Sequence, residues 1–377
     1  MSWYISIRKL FQWIKTHFLA LPRPISLGFF WNFGSLLGVV LLVQIIRGVF
    51  LSITYDNRVT LAYETCERVL RELSGGWIIR ITHTNGARLF IFLIYLHFGK
   101  GLYYSSYVFK SVWLLGVTIL LVRIFTAFTG YVLLWAQISY WALKVITRLL
   151  RVGQETGLHL LNLVWGSYFL GAPTLFRLYS VHFFLPFVIL FLVVIHLWQL
   201  HVNGSRNPRG LPLSRERCKF YSLYFFKDIV TPCIVYFIFV GLVSYSPWVF
   251  RDPGNFIEAE SLVTPLHIKP EWYFLFAYAI LRSIPTKIGG VIAMGLSVTI
   301  YYVLPYLPKP FYFKGNYFNP VGKLVFVTFV FSVLRLTWLG AQPVEIHFTS
   351  ACQIVIYLYF LRLIFSWIIR ITWSKAT

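Results

Sequence analysis

HTNGARLFIFLIYLH at residues 83–97 and HFFLPFVILFLVVIH at residues 182–196 decide the fold. Each stretch opens and closes on histidine, so His83 and His97 are fourteen positions apart and His182 and His196 repeat the interval. Fourteen residues make just under four helical turns, which puts each pair close to one helix face. The rise is roughly 21 Å, most of the way across a hydrocarbon core of roughly 30 Å. One histidine in such a helix is readily satisfied by a neighbouring carbonyl. Four, in two equal intervals, point elsewhere, because an unpaired imidazole in lipid is costly. Two such helices side by side and parallel stack two imidazole pairs at two depths, an arrangement that suits two bis-histidine haems. Gly34 and Gly48 share the interval, and so do Gly116 and Gly130. Glycine in a membrane helix also serves close helix packing. At this spacing it is what two flat porphyrins pressed against flanking helices require.

The composition is that of an all-α polytopic membrane protein. Hydrophobic residues make up 58% of the chain, aromatic residues 20% and charged residues only 12%, with mean hydropathy +0.71. A soluble fold is excluded by the number and length of the apolar runs. The net charge of +22 raises nucleic-acid binding, but the basic residues punctuate loops instead of forming a stripe, so no nucleic-acid partner is expected. Membrane lipid is. Cys66, Cys218, Cys233 and Cys352 form no CxxC or CxxCH, so haem is expected to be held without thioether bonds.

Eight transmembrane helices are expected, at about 31–53, 77–104, 112–135, 175–201, 229–246, 288–307, 320–340 and 348–369. Residues 1–30 form an interfacial amphipathic helix and entry segment, with Ile7 to Leu21 apolar on one face. Residues 31–210 hold the haem-binding four-helix bundle, and residues 211–377 the remaining helices. The loops on the side of the termini carry seventeen Lys and Arg against only Glu216 and Asp228. Positive-inside then places both termini in the cytoplasm or matrix. With that topology His83 meets His182 level with Gly48 and Gly130, and His97 meets His196 level with Gly34 and Gly116. The stretches SYWALKVITRLL and GLHLLNLVWG read as two short surface helices, and PEWYFLFAYAILRSIP as another short amphipathic or re-entrant one.

GWIIRITHTNGARLF, HFGKGLYYSSY, TAFTGYVLLW, the second histidine pair and Pro270-Glu271-Trp272-Tyr273 together resemble the cytochrome b family. The form is that of the respiratory cytochrome bc1 complex (complex III), over essentially the whole chain. The thylakoid relative fits less well, because its chain is split after four helices and its second histidine pair is spaced one residue wider.

The resemblance implies the di-haem catalytic subunit of a ubiquinol:cytochrome c oxidoreductase, active only within the multisubunit complex. His83 and His182 are then ligands of the low-potential haem b, and His97 and His196 of the high-potential one. Arg80 and Arg177 match positions at the propionates of the first haem, Ser106 and Trp113 at those of the second. Glu271 and Tyr131 are implied as the catalytic groups of quinol oxidation on the positive side, in a pocket with Phe128, Ala142, Pro270, Phe274 and Tyr278. His201 and Asp228 are implied at the quinone-reducing site on the negative side, with Asn32, Ser35 and Lys227. The implied partners are a Rieske iron–sulfur protein, cytochrome c1, other complex III subunits and quinone, in a homodimer of the complex. Quinol oxidation passes one electron to the iron–sulfur protein and the other through the haems to quinone, with proton translocation. The implied location is the mitochondrial inner membrane, with a bacterial plasma membrane as the alternative.

The residues also admit bland readings. Arg80 and Arg177 suit interfacial snorkelling, Glu271 an exposed interfacial acid, and Asp228 a helix cap. The chain departs from the family in places. Ala142 stands where glycine is usual, which is expected to crowd strobilurin-type inhibitors. Lys100 stands where arginine is common, exchanging a fork for a point charge. Residues 151–155 do not fit the usual loop, and Arg88 replaces a usually small residue with no evident partner. A di-haem membrane anchor of another quinone-linked dehydrogenase is the alternative function, though it calls for fewer spans and no PEWY loop. A transporter with intramembrane histidines would show inverted repeats and broken helices, and neither is evident.

Overall fold

A computed structural model describes residues 12, 15, 20–209, 217–221, 223–307 and 316–376. The expected amphipathic helix at residues 7–21 falls almost wholly outside them. Among the described residues the chain is helical apart from one short ribbon, β1 (Pro22–Pro24) paired antiparallel with β2 (Arg217–Lys219).

The first half contains α1 (Phe33–Thr54), α2 (Ala62–Arg71), α3 (Gly76–Tyr103), α4 (Lys110–Val132), α5 (Gln137–Arg148), α6 (Gln154–Trp165) and α7 (Ala172–Asn203). The second half contains α8 (Leu223–Tyr245), α9 (Leu275–Ser283), α10 (Lys287–Thr299), α11 (Pro320–Ala341) and α12 (Ile346–Ala376). Six helices, α1, α4, α7, α8, α11 and the Ile346–Ser366 part of α12, are long and apolar enough to cross a membrane. Their outer faces carry large apolar side chains; Phe176, Phe184, Phe191 and Trp198 of α7 are all exposed. That suits lipid as the surrounding medium.

The other two expected spans differ in character. Helix α3 runs 28 residues, ample for a crossing, but it carries Arg80, Arg88 and Lys100. Helix α10 has only 13 residues and continues as 3-10 turns at Ile300–Tyr302 and Leu304–Tyr306. Pro305 lies in the second turn, where its missing N–H cannot extend an α-helical ladder. Among the described residues six helices thus qualify by length and apolarity, while α3 has the length with charges in it and α10 the apolarity without the length.

Helices α1 and α3 pack together, as do α4 and α7, and α1 also touches α7. These four form a bundle whose middle is filled by Leu41, Phe90, Ile91, Ile94, Leu120 and Ile189. The C-terminal group α9–α12 docks on it through a core shared by Leu102, Trp113 and Val117 with Ile280, Leu336 and Tyr359. The expected surface helices are α5 and α6.

Helix α2 stands where only a connection was expected. Its Ala62, Thr65, Cys66 and Val69 face inward while Glu64 and Arg68 pair outside at 2.6 Å. It turns into α3 at Gly75, whose φ of +70° is a left-handed conformation that glycine adopts freely. Gly76 follows, and a Cβ there would strike the Val69 carbonyl.

The corner between α4 and α5 is stitched to residues 255–263. Gln137 N–H donates to the Ile257 carbonyl at 3.0 Å and Ala259 N–H to the Trp135 carbonyl at 3.1 Å. The Gln137 side chain donates to the Val263 carbonyl at 2.6 Å and accepts from Glu260 N–H at 2.8 Å. Trp135 is held at φ +50° by this arrangement, a conformation uncommon for a bulky residue.

Candidate functional site

The bundle brings His83 and His182 together. His83 of α3 and His182 of α7 face each other edge to face, with ring centroids 6.5 Å apart. They line one large cavity together with Gly48, Gly130, Arg80, Tyr131 and Glu271. His182 Nδ1 donates to the Thr126 carbonyl at 3.0 Å, which leaves Nε2 free to bind a metal. Pro186, one turn on, has no N–H to offer the His182 carbonyl. The His83 carbonyl accepts from Gln44 Nε2 at 2.8 Å.

The glycines stand at the expected levels. A Cβ at Gly48 would lie 3.2 Å from His83 Cε1, and one at Gly130 would collide with the His182 ring. A Cβ at Gly34 would lie 3.5 Å from His97 Cε1, and one at Gly116 3.4 Å from His196 Cε1. Each histidine therefore lies against a glycine of a neighbouring helix. His83 Nδ1 and His97 Nδ1 are buried with no hydrogen-bond partner among the described residues. Buried imidazoles with a spare nitrogen, set in glycine grooves, fit axial ligation of haem iron.

The two expected arginines part company. Arg80 donates to Thr84 Oγ1 at 2.6 Å and keeps a buried, unpartnered Nε in the cavity. Arg177 is exposed and turns to the Leu163 carbonyl at the end of α6. Toward the other pair, Trp113 is buried and donates to the Tyr301 carbonyl at 2.8 Å. Ser106 stands in the 3-10 turn just before it. Lys100 places its ammonium 5.3 Å from the Trp31 ring centroid, so the point charge is held by a cation–π contact.

At the Glu271 end the carboxylate is paired with Arg88. Nη2 donates to Oε1 at 2.6 Å and Nε to Oε2 at 3.1 Å, with side chains only 8% and 10% exposed. This fork supplies the partner that Arg88 lacked in the sequence, and it excludes the reading of Glu271 as an exposed interfacial acid. Breaking such a buried pair by removing one member costs about 3–5 kcal/mol. Tyr131 OH accepts from Asn255 Nδ2 at 2.9 Å. Phe128 and Phe274 meet edge to face at 6.2 Å. Ala142 is buried in α5, Tyr278 lies under Arg282 at 5.5 Å, and Pro270 is half-buried ahead of Glu271.

At the opposite end Asp228 Oδ1 accepts from Ser35 Oγ at 2.7 Å and from Asn32 Nδ2 at 3.1 Å. Two residues at the start of α1 and one 193 or more positions further on thus form one polar cluster. Lys227 donates to the Leu27 carbonyl at 3.5 Å, and His201 lies half-buried near the end of α7.

Two family models match the chain. "Cytochrome b/b6/petB" covers residues 18–204 and "Cytochrome b(C-terminal)/b6/petD" covers residues 258–360. Together they take in well over half of it. The chain belongs to the cytochrome b family. A solved structure described as "Hyperthermophilic respiratory Complex III" contains a similar chain, with TM-score 0.93, 29% identity and 99% coverage of both chains. As a cytochrome b, the chain is the electron-transfer subunit of a quinol:cytochrome c oxidoreductase and binds haem b.

Some residues of this cytochrome b sites escaped the sequence reading. Arg23, buried in β1, donates to Ser205 Oγ at 2.5 Å. Burial lowers its pKa, and the nearby Asp228 charge opposes that shift. Asn255, Thr126 and Gln44 orient Tyr131, His182 and the His83 backbone. Each acts through a long-range contact or a backbone group, which leaves no spacing signal in sequence. The buried charge of Arg88 could have been followed up, since an arginine inside a membrane helix demands a partner.

Proposed function

We propose that the chain carries two b haems, one between His83 and His182 and one between His97 and His196. In this reading it oxidises quinol at the Glu271 end and reduces quinone at the Asp228 end. What supports it above all is that each histidine pair has its matching glycine pair, and that the first pair shares a cavity with Glu271 and Tyr131. Residues 31–210 make the haem-binding half and residues 211–377 contribute the PEWY loop. Haem held by two imidazoles supplies one-electron transfer and has no open position for oxygen.

The residues act around it. Arg80 offers its spare Nε to a propionate. Tyr131 offers its hydroxyl as a hydrogen-bond partner to the quinol, and the Glu271 carboxylate is the group able to receive its proton. Asp228, fixed by Ser35 and Asn32, and His201 hydrogen-bond a quinone carbonyl and deliver protons. Ubiquinone as the substrate, a Rieske iron–sulfur protein and cytochrome c1 as partners, a dimeric complex and the mitochondrial inner membrane follow from the family resemblance. A bacterial plasma membrane is the alternative location.

The deciding measurement is the α-band spectrum of the purified complex reduced by quinol, in wild type and in the His83→Leu and His97→Leu variants. Two b-type signals are expected in the wild type, with a different one missing in each variant. A single signal, or loss of the same one from both, overturns the pairing.

A further inference from the structure

The Arg88–Glu271 pair joins an arginine that stands where the family usually has a small residue to the acid at the quinol end. Arg88 lies on α3, five residues beyond His83. Its third nitrogen, Nη1, donates to Asn85 Oδ1 at 3.2 Å, and Asn85 Nδ2 donates to the Pro247 carbonyl at 3.0 Å. The guanidinium is therefore anchored behind while its fork grips the carboxylate in front. Arginine stays charged in proteins and matches a carboxylate in two parallel bonds, which fixes direction as well as distance. An ionised carboxylate has about four acceptor sites. Arg88 takes one on each oxygen, so acceptor sites remain on a carboxylate that lines a cavity together with Tyr131 and Tyr273.

Resting on the proposed role of Glu271, we propose that Arg88 is a positioning residue for quinol oxidation: it fixes the Glu271 carboxylate against α3 as a stationary hydrogen-bond acceptor for the quinol hydroxyl. With this clamp the carboxylate does not swing between the quinol pocket and the rest of the cavity. A lone carboxylate on the PEWY turn would have that freedom, because Glu271 is an N-cap residue whose side chain bonds no helix N–H.

The test uses the assembled complex with quinol:cytochrome c turnover and haem content measured separately. Arg88→Met is expected to keep both haems and to lose about 10²-fold in kcat/KM for quinol, the cost of a misplaced group. The loss should fall on kcat more than on KM, as for an interaction that matters most in the transition state. Arg88→Lys keeps the charge without the fork and should recover about tenfold of that loss. The exchange variant, Arg88→Glu with Glu271→Arg, restores the ion pair but puts the carboxylate on the wrong wall. It should regain haem content and not turnover.

Wild-type kcat/KM in Arg88→Met, or turnover restored by the exchange, overturns the inference and leaves the pair a structural bond only. Should Arg88→Met fail to assemble, Arg88→Lys decides, and wild-type kinetics there refute the clamp. Glu271→Gln separates the two levels. Normal turnover in that variant removes the proposed quinol site and the clamp with it, whereas a slow Glu271→Gln beside a normal Arg88→Met removes the clamp alone.

Discussion

Adding one methyl at each of the four glycines facing the histidines should have graded effects, and Gly130→Ala should be the most damaging. At Gly34 and Gly116 the new Cβ meets the histidine at 3.5 and 3.4 Å, ordinary van der Waals separation. At Gly48 the contact is 3.2 Å, which requires the His83 ring to give a few tenths of an ångström. At Gly130 the Cβ lands on His182 Cε1, with Nδ1 2.8 Å and Nε2 2.9 Å away, so the whole ring must move. Moving it breaks the 3.0 Å bond from Nδ1 to the Thr126 carbonyl that sets the ring's orientation. Overpacking of this kind costs about 1–3 kcal/mol, which is about 5- to 150-fold in an equilibrium constant. The assay is haem b per polypeptide together with the α-band spectrum of each purified variant. Gly130→Ala should lose the signal assigned to the His83–His182 pair and retain the other. Gly34→Ala and Gly116→Ala should keep most of both. Equal losses at all four positions, or a native spectrum in Gly130→Ala, would refute the reasoning that the space each glycine leaves beside its histidine sets the tolerance of that haem site.

Three further expectations follow from the same geometry. Asp228→Ala removes the acceptor shared by Ser35 and Asn32 and should slow re-oxidation of reduced haem b by quinone about 10²-fold, while the first-turnover reduction of haem b by quinol, read with the reducing end blocked, keeps the wild-type rate; equal slowing of both would refute the placement. Ala142→Gly opens one methyl in a buried position of α5 and should tighten a strobilurin-type inhibitor by roughly tenfold or more, read as the inhibitor concentration for half activity; unchanged inhibition would remove Ala142 from that pocket. Asp56 accepts from Arg58 Nη2 at 2.6 Å, and that hydrogen bond lowers its pKa from 3.8 to about 2. A depressed carboxylate adds stability above its unfolded pKa and loses it as pH falls through the folded one. Asp56→Asn should therefore differ from wild type in thermal unfolding above about pH 4, by a small and salt-sensitive amount for so exposed a pair, and converge with it near pH 2; a constant difference down to that pH would contradict the assignment.

The histidine pairs, their glycine partners and the short helices α5, α6 and α9 were legible because each is a periodic or local feature. Fourteen-residue intervals survive in a helix as a shared face, and apolar runs announce their own length. What the sequence concealed is everything made by side chains meeting across elements. Arg88 and Glu271 are 183 positions apart, and Asn32 and Asp228 are 196 apart; no spacing connects them. The ribbon of β1 and β2 is only three residues a side and contains two prolines, composition that argues against a strand. Helix α2 could have been found, since Glu64 and Arg68 four apart with Cys66 and Val69 on the opposite face form a helical pattern. The shortness of α10 was harder to see, because the apolar run continues past its end while the backbone tightens into 3-10 turns.

The seams between the first seven helices and the remainder combine the apolar core around Trp113, Ile280 and Tyr359 with directional bonds: β1 against β2, Ser35 on Asp228, Arg88 on Glu271, and Gln137 threaded through residues 257–263. They occur at both ends of the bundle and in its interior, and β2, which belongs to the connection from α7 to α8, is one of them. Most of the fastening between the two pieces is therefore made away from the peptide that links them, by contacts spread from one end of the bundle to the other.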